Sequence, residues 1–261
     1  MMTSLYSGAS GMYAQQLNID TISNNLANVN TTGFKKNTME FQDLLYQSLR
    51  AAGTKTGQES ETPTELQVGG GVKPVSTTKI FSQGTLVATE NPLDIAIAGK
   101  GFLKIQGGDG KEYYTRDGHL KLSSDGTIVN SDGYIVQPQI TIPTDTESLI
   151  ISENGVVSVI VAGESIPQEV GQLELANFVN PAGLKALGQN LFEPTAASGE
   201  AVSGTPLSVG FGRVLQGQSE ASNVNLVTEM VQMITAQRAY EVNSKSIRTA
   251  DEMLRTVNQI K

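Results

Sequence analysis

Residues 3–30 read TSLYSGASGMYAQQLNIDTISNNLANVN, and the placement of their apolar residues decides how the chain begins. Leu5, Met12, Ile19 and Leu26 recur every seven residues, and Ile22 and Val29 take the complementary positions. That spacing predicts one helix with an apolar seam, interrupted only by Gly8 and Gln15. The opposite face is Ser, Thr, Asn and Gln, with Asp20 as its single charge. A helix facing water usually carries Lys and Glu. An uncharged polar face suits contact with other protein, because amides that find hydrogen-bond partners cost far less to desolvate than charges.

A similar pattern ends the chain. Over 222–260, Met233, Ala236, Tyr240, Ile247, Ala250, Leu254 and Val257 follow a three-four spacing, with Asn243 the polar interruption. Leu226, Val227, Met230, Val231 and Ile234 make the start of this helix apolar nearly all round. Glu241 with Lys245, and Asp251 with Arg255, stand four apart on its outer face, each pair contributing about 0.3 kcal/mol. Asn223 or Asn225 would cap its start. At ~1.5 Å per residue the second helix is expected to be about 55–60 Å long and the first about 40 Å. Two long seams at opposite ends of one chain are expected to pair with each other as a coiled-coil-like unit.

Between them the chain reads as β. Asp109-Gly110, Asp117-Gly118, Asp125-Gly126 and Asp132-Gly133 separate Glu112–Arg116, His119–Leu122, Thr127–Asn130 and Tyr134–Gln137. Asp-Gly between β-formers is a hairpin signal, because the turn needs positive φ. Further strands are expected at Asp94–Ala98, Phe102–Gln106, Ser148–Ser152, Val156–Ala162 and Gln172–Phe178. The fold class is therefore α+β: helical ends and a central antiparallel all-β domain. Residues 1–34 and 222–261 form the helical part, 35–71 a connecting segment, and 72–221 the β-rich domain. Within the connection, 51–71 (AAGTKTGQESETPTELQVGGG) lacks aromatic residues and reads by composition as a flexible loop.

Composition narrows the function. The chain has 26 acidic and 18 basic residues, a net charge of −8, and no Lys/Arg block, which excludes an electrostatic footprint for nucleic acid. It has no Cys, so thiolate metal sites, disulfides and a thiol nucleophile are excluded together. The N-terminus lacks the basic start and unbroken apolar run of a cleaved signal peptide, and no window approaches the ~18 apolar residues of a membrane span. Membrane insertion is not expected. Any export is expected to leave the N-terminus intact.

Catalytic motifs are scarce. Gly69-Gly70-Gly71 precedes Val72 and Pro74 rather than a helix, and Gly99-Lys100-Gly101 precedes a strand, so both are read as turn glycines. No Gly-x-Ser-x-Gly occurs, and the Asp-Gly turns lack calcium-loop spacing. His119, the only histidine, is read as a surface or edge-strand residue. No catalytic, cofactor-binding or metal site is assigned, and no cofactor is expected.

Residues 20–35, DTISNNLANVNTTGFK, resemble the N-terminal signature of the bacterial flagellar rod and hook family. Residues 222–260, SNVNLVTEMVQMITAQRAYEVNSKSIRTADEMLRTVNQI, resemble that family's C-terminal element. The likeness continues through LQVGGGVKP (66–74), FSQGTL (81–86), NPLDIAIAGKGFLKI (91–105), YTRDGHL (114–120) and QPQITIP (137–143), and is nearest to distal-rod members. Asn24, Asn25, Ala27, Asn28, Asn30, Thr32, Gly33 and Phe34 carry the N-terminal signature.

The resemblance implies a structural subunit that polymerises helically into a rigid drive shaft, which transmits motor torque to the hook. Its terminal helices would form an inner tube and its β domain an outer layer. The segment containing Thr54, Gly57, Glu61, Pro63 and Leu66 would stiffen the rod. Implied partners are further copies of the chain, proximal-rod proteins, the hook protein, the P- and L-ring proteins where present, and the type III export apparatus. The implied location is the periplasmic rod of the basal body. A proximal-rod or hook-type axial subunit is the nearest alternative; a β-rich extracytoplasmic carbohydrate-active enzyme is the alternative from another class.

Overall fold

The computed structural model describes residues 2–53, 63–163 and 166–259. Thr54, Gly57 and Glu61 of the expected stiffening segment lie outside the described residues. The chain forms two compact units. One contains Met1–Ala27, Asn37–Thr78 and Asn225–Lys261; the other contains Asn28–Lys36 and Lys79–Val224.

The first unit is built on two helices, α1 (Met2–Ala27) and α2 (Leu226–Gln259). Helix α1 ends earlier than its periodicity predicts, leaving Asn28, Val29 and Asn30 in a turn. There Thr31 N donates to Asn28 O, and the Thr31 hydroxyl donates to Asn28 Oδ1. Asn side chains that bond to the nearby chain favour such a turn over another helical one. Of the two candidate caps for α2, Asn225 fills the role: its Oδ1 accepts from Thr228 N at 3.1 Å. Asn223 instead belongs to the second unit, where its amide donates to Ile80 O and its Oδ1 accepts from Lys36 N.

Two short strand pairs complete this unit. Asn37–Asp43 pairs with Val72–Lys79, and Tyr46–Arg50 pairs antiparallel with Leu66–Gly69. The second pair corrects the expectation of a structureless 51–71, because residues 66–69 are the return strand of a hairpin. Every residue of that hairpin's two strands is exposed, so no alternation of apolar and polar residues marked it in the sequence.

The second unit is predominantly antiparallel β. Its main sheet is organised on Phe102–Gln106, which pairs with Glu112–Thr115 on one side. On the other side it pairs with Ile135–Gln137 and Leu175–Asn177. Glu112–Thr115 is flanked in turn by Leu191–Glu193 and then Lys185–Gly188. A three-stranded sheet, Thr146–Ile151, Val156–Val161 and Gln168–Gln172, lies beyond the sheet's Asp-Gly meander in sequence. Ile95, Ile97, Leu103, Ile105, Leu120, Val136, Val157, Leu173, Leu175 and Val214 are fully buried. Phe81, Phe102, Tyr114, Phe178 and Phe192 meet edge to face, with centroids 4.8–6.0 Å apart.

Three of the four Asp-Gly pairs are turns with positive φ at glycine, Gly110 at +78°, Gly126 at +73° and Gly133 at +86°. They connect 102–106 to 112–115 across a turn at 107–111, 121–122 to 128–129, and 128–129 to 135–137. Asp117-Gly118 is not a hairpin turn, which corrects the fourth assignment. Gly118 O accepts from Ile95 N, and a Cβ at Gly118 would stand 1.7 Å from Ile95 O. Glycine is required there by a crossing backbone rather than by a turn. Asp117 Oδ1 accepts from Thr32 Oγ1 and from His119 N. His119 forms an isolated bridge with Asp94, and its Nδ1 lies 3.0 Å from Asp94 Oδ1.

Candidate assembly surface on the terminal helices

The helices α1 and α2 run antiparallel. A Cβ at Gly8 would lie 2.9 Å from Ile247 Cγ1, and one at Gly11 would lie 2.8 Å from Asn243 Nδ2. At the other end, Asn25 Nδ2 donates to Glu229 Oε2 at 3.1 Å. Glycine inside a helix costs about 1 kcal/mol relative to alanine. Here Gly8 and Gly11 let α2 approach where any side chain would intrude.

Among the described residues, Ala14, Ile22 and Asn25 are the buried side chains of α1, and Glu229, Ala236 and Ala250 are those of α2. The predicted seam behaves differently from an ordinary core stripe. Leu5, Met12, Ile19 and Leu26 are only half-buried, as are Met233, Asn243, Ile247 and Leu254, while Tyr240 and Val257 are exposed. Small residues, Ile22 and the Asn25–Glu229 hydrogen bond contribute to holding the pair, and much apolar surface is left open.

Asn25 also fixes the end of α1. Its Oδ1 accepts from Asn37 N and its Nδ2 donates to Asn37 O. The apolar start of α2 stays open: Leu226, Val227, Met230, Val231 and Ile234 are each between 47% and 69% exposed. So many exposed aliphatic side chains within nine residues mark an interaction surface.

Asn28, Asn30, Thr32, Gly33 and Phe34 of the N-terminal signature lie in the second unit. Thr32 donates to Asp117, and Gly33, at φ +67°, donates its N–H to Glu220 O at 2.8 Å. A Cβ at Gly33 would meet Asp117 N at 2.8 Å. The Phe34 ring lies 5.3 Å from Lys79 Nζ. Beside it Lys35 is fully buried. Its amine contacts Glu220 Oε1 at 2.5 Å and donates to Ser82 O.

Glu220 also accepts from Gly84 N and lies 3.6 Å from the Arg116 guanidinium, which donates to Ile97 O and Gly99 O. Burial pushes the Lys35 amine below the usual lysine value, and the Glu220 carboxylate opposes that shift. Asn24 and Ala27 are exposed.

Three family profiles match along the chain: the flagella basal body rod protein profile at 5–35, the flagellar hook protein FlgE/F/G D1 domain at 96–159, and the flagellar basal body rod FlgEFG protein C-terminal profile at 215–260. Flagellar basal-body rod protein FlgG of Caulobacter vibrioides is 51% identical over 261 residues, covering 100% of both chains. The chain belongs to the flagellar rod and hook protein family. Flagellar basal-body rod protein FlgG of Borreliella burgdorferi is 51% identical, covering 100% of this chain and 99% of its own. That of Bacillus subtilis is 40% identical, with 100% of both covered.

As a member of this family the chain is a structural flagellar protein and not an enzyme. The matched rod and C-terminal profiles contain the two helices whose apolar surfaces are open. Lys35, Arg116, Glu220, Gly11 and Glu229 were not singled out from the sequence. Of the helix contact, Gly8 gave a sign there, as an interruption of the apolar seam.

Proposed function

We propose that this chain is the structural subunit of the distal rod, polymerising helically into the rigid shaft that carries motor torque to the hook. The carrying observation is the open apolar surface on both terminal helices of a chain similar over its full length to rod proteins. In the polymer, Leu5, Met12, Ile19, Ile22, Leu26 and Val29 on one side pack in coiled-coil-like fashion. Met233, Ala236, Tyr240, Asn243, Ile247, Ala250, Leu254 and Val257 do so on the other. This terminal helical domain, 1–34 with 222–261, forms the inner layer, and the β-rich domain, 72–221, lies outside it. Proximal-rod proteins, the hook protein and the P- and L-rings are its neighbours in the periplasm. Delivery is through the type III export apparatus without a cleaved signal peptide. Gold labelling of the chain along isolated basal bodies is expected to mark the rod segment just below the hook. Label confined to the hook, or to the rod base, would assign it to a different axial position.

The hairpin of Tyr46–Arg50 with Leu66–Gly69, together with Thr54, Gly57, Glu61 and Pro63 that lie between its strands in sequence, is proposed to stiffen that shaft. A two-stranded hairpin is marginal by itself in water, and Leu45, Tyr46, Leu49 and Leu66 expose half or more of their surface. Such a hairpin gains stability when neighbouring subunits cover it. Deletion of 51–71 is expected to leave the subunit folded and to lower the rod's bending stiffness, read from curvature fluctuations of isolated rods. Unchanged curvature would remove this role.

A further inference from the structure

The helix pair leaves apolar surface open at both of its ends, and the two open surfaces differ. Tyr6 and Tyr13 are 65% and 57% exposed, seven residues apart on α1. Helical spacing puts them on the side away from Gly8 and Gly11, at the level of Asn243 and Ile247 of α2. Val227, Met230, Val231 and Ile234 form the other surface, at the level of Asn25 of α1, since Asn25 bonds to Glu229. Because the helices are antiparallel, about 15 residues of α2 separate the two levels, or about 22 Å at 1.5 Å per residue. Neither surface can cover the other within one chain.

Charge singles out the same two surfaces. Asp20 is the only side chain of α1 charged at neutral pH, and Glu229 is the only one on α2 before Arg238; Glu229 is buried against Asn25. From Arg238 onward α2 carries both acidic and basic residues, which suit water. Burial of the uncharged surfaces costs little desolvation.

Resting on the polymer reading above, we infer that the Tyr6–Tyr13 face of one copy docks on the Val227–Ile234 face of a second copy, displaced by about 22 Å along the helix axis. Two different surfaces meet, so the contact is head-to-tail and repeats without closing. The exposed α2 surface from Leu226 to Ile234 consists of five side chains, each 47–69% exposed, a smaller patch than the ~800 Å² per partner of a stable two-chain complex. A single such contact therefore does not hold a dimer, and repetition in an array does.

The absence of native cysteine makes the test direct. Chains carrying both Tyr13→Cys and Val231→Cys are assembled in cells, and isolated basal bodies are treated with a short bismaleimide. A ladder of covalent multimers is expected, with no ladder from either single variant. Rods of normal length without a ladder would overturn this contact alone. So would dimers from Val231→Cys by itself, which would show like surfaces meeting. If wild-type basal bodies contain only isolated copies of the chain, the polymer reading falls together with this contact.

Discussion

Replacing Glu220 with alanine is expected to destabilise the second unit by about 3–5 kcal/mol, the usual cost of breaking a buried ion pair from one side. The Lys35 and Glu220 side chains are 0% and 1% exposed, and that of Arg116 is 5% exposed. Without the carboxylate, two cations face each other out of water, and Gly84 N loses its acceptor. The loss reaches the N-terminal signature, because Lys35 holds the strap Asn28–Lys36 to this unit.

Urea unfolding measures the effect. Lys35 titrates below its ordinary value in the folded chain, so the unfolded chain binds more protons in the window between the two values. Removing Glu220 takes away the influence that raises Lys35 and widens that window downward. The stability of Glu220→Ala is therefore expected to rise with pH toward the ordinary lysine value, more steeply than wild type. A variant within 1 kcal/mol of wild type, with a parallel pH profile, would show that the triad contributes little.

The second large effect is on assembly rather than on folding. Ile247→Asp places a carboxylate against Gly8 of α1, on the helix seam. Leu26→Asp does the same on the half-buried seam of the other helix. Either charge would be desolvated without a partner once neighbouring subunits close over the helices, at a cost of several kcal/mol per subunit contact. Repeated along a polymer, that cost is expected to abolish rods and motility. The second unit has its own core, so its thermal unfolding should be unchanged. Ile247→Val, which removes one methylene at about 0.5–1.5 kcal/mol, should still swim. Full motility in Leu26→Asp or Ile247→Asp cells would mean that the seams are not assembly surfaces.

The helices and most of the meander were legible in the sequence because each element repeats a local signal. Leu5, Met12, Ile19 and Leu26 announce the period of α1, and three Asp-Gly pairs announce turns that positive φ requires. What periodicity could not show was which side of α1 meets α2. The contact runs through Gly8, which looks like an interruption of the apolar seam until the helix opposite it is in place, and through Gly11, which lies off that seam.

The triad was hidden for a different reason. Lys35 and Glu220 are 185 residues apart, and a single lysine after a Gly-Phe pair carries no sign of burial. Asp117-Gly118 misled because a glycine demanded by a crossing strand reads the same as one demanded by a turn. The return strand Leu66–Gly69 was missed because a fully exposed hairpin has no buried face to set an alternating pattern.

The central claim is that the helical ends build the shaft, and a helical reconstruction of the native rod at side-chain resolution tests it most directly. The account predicts α1 and α2 in the innermost layer, with the open surfaces of Tyr6, Tyr13 and Val227–Ile234 covered by other copies and the β unit outside. A rod whose inner wall is formed by the β unit, or whose terminal helices lie exposed at the outer surface, would contradict it.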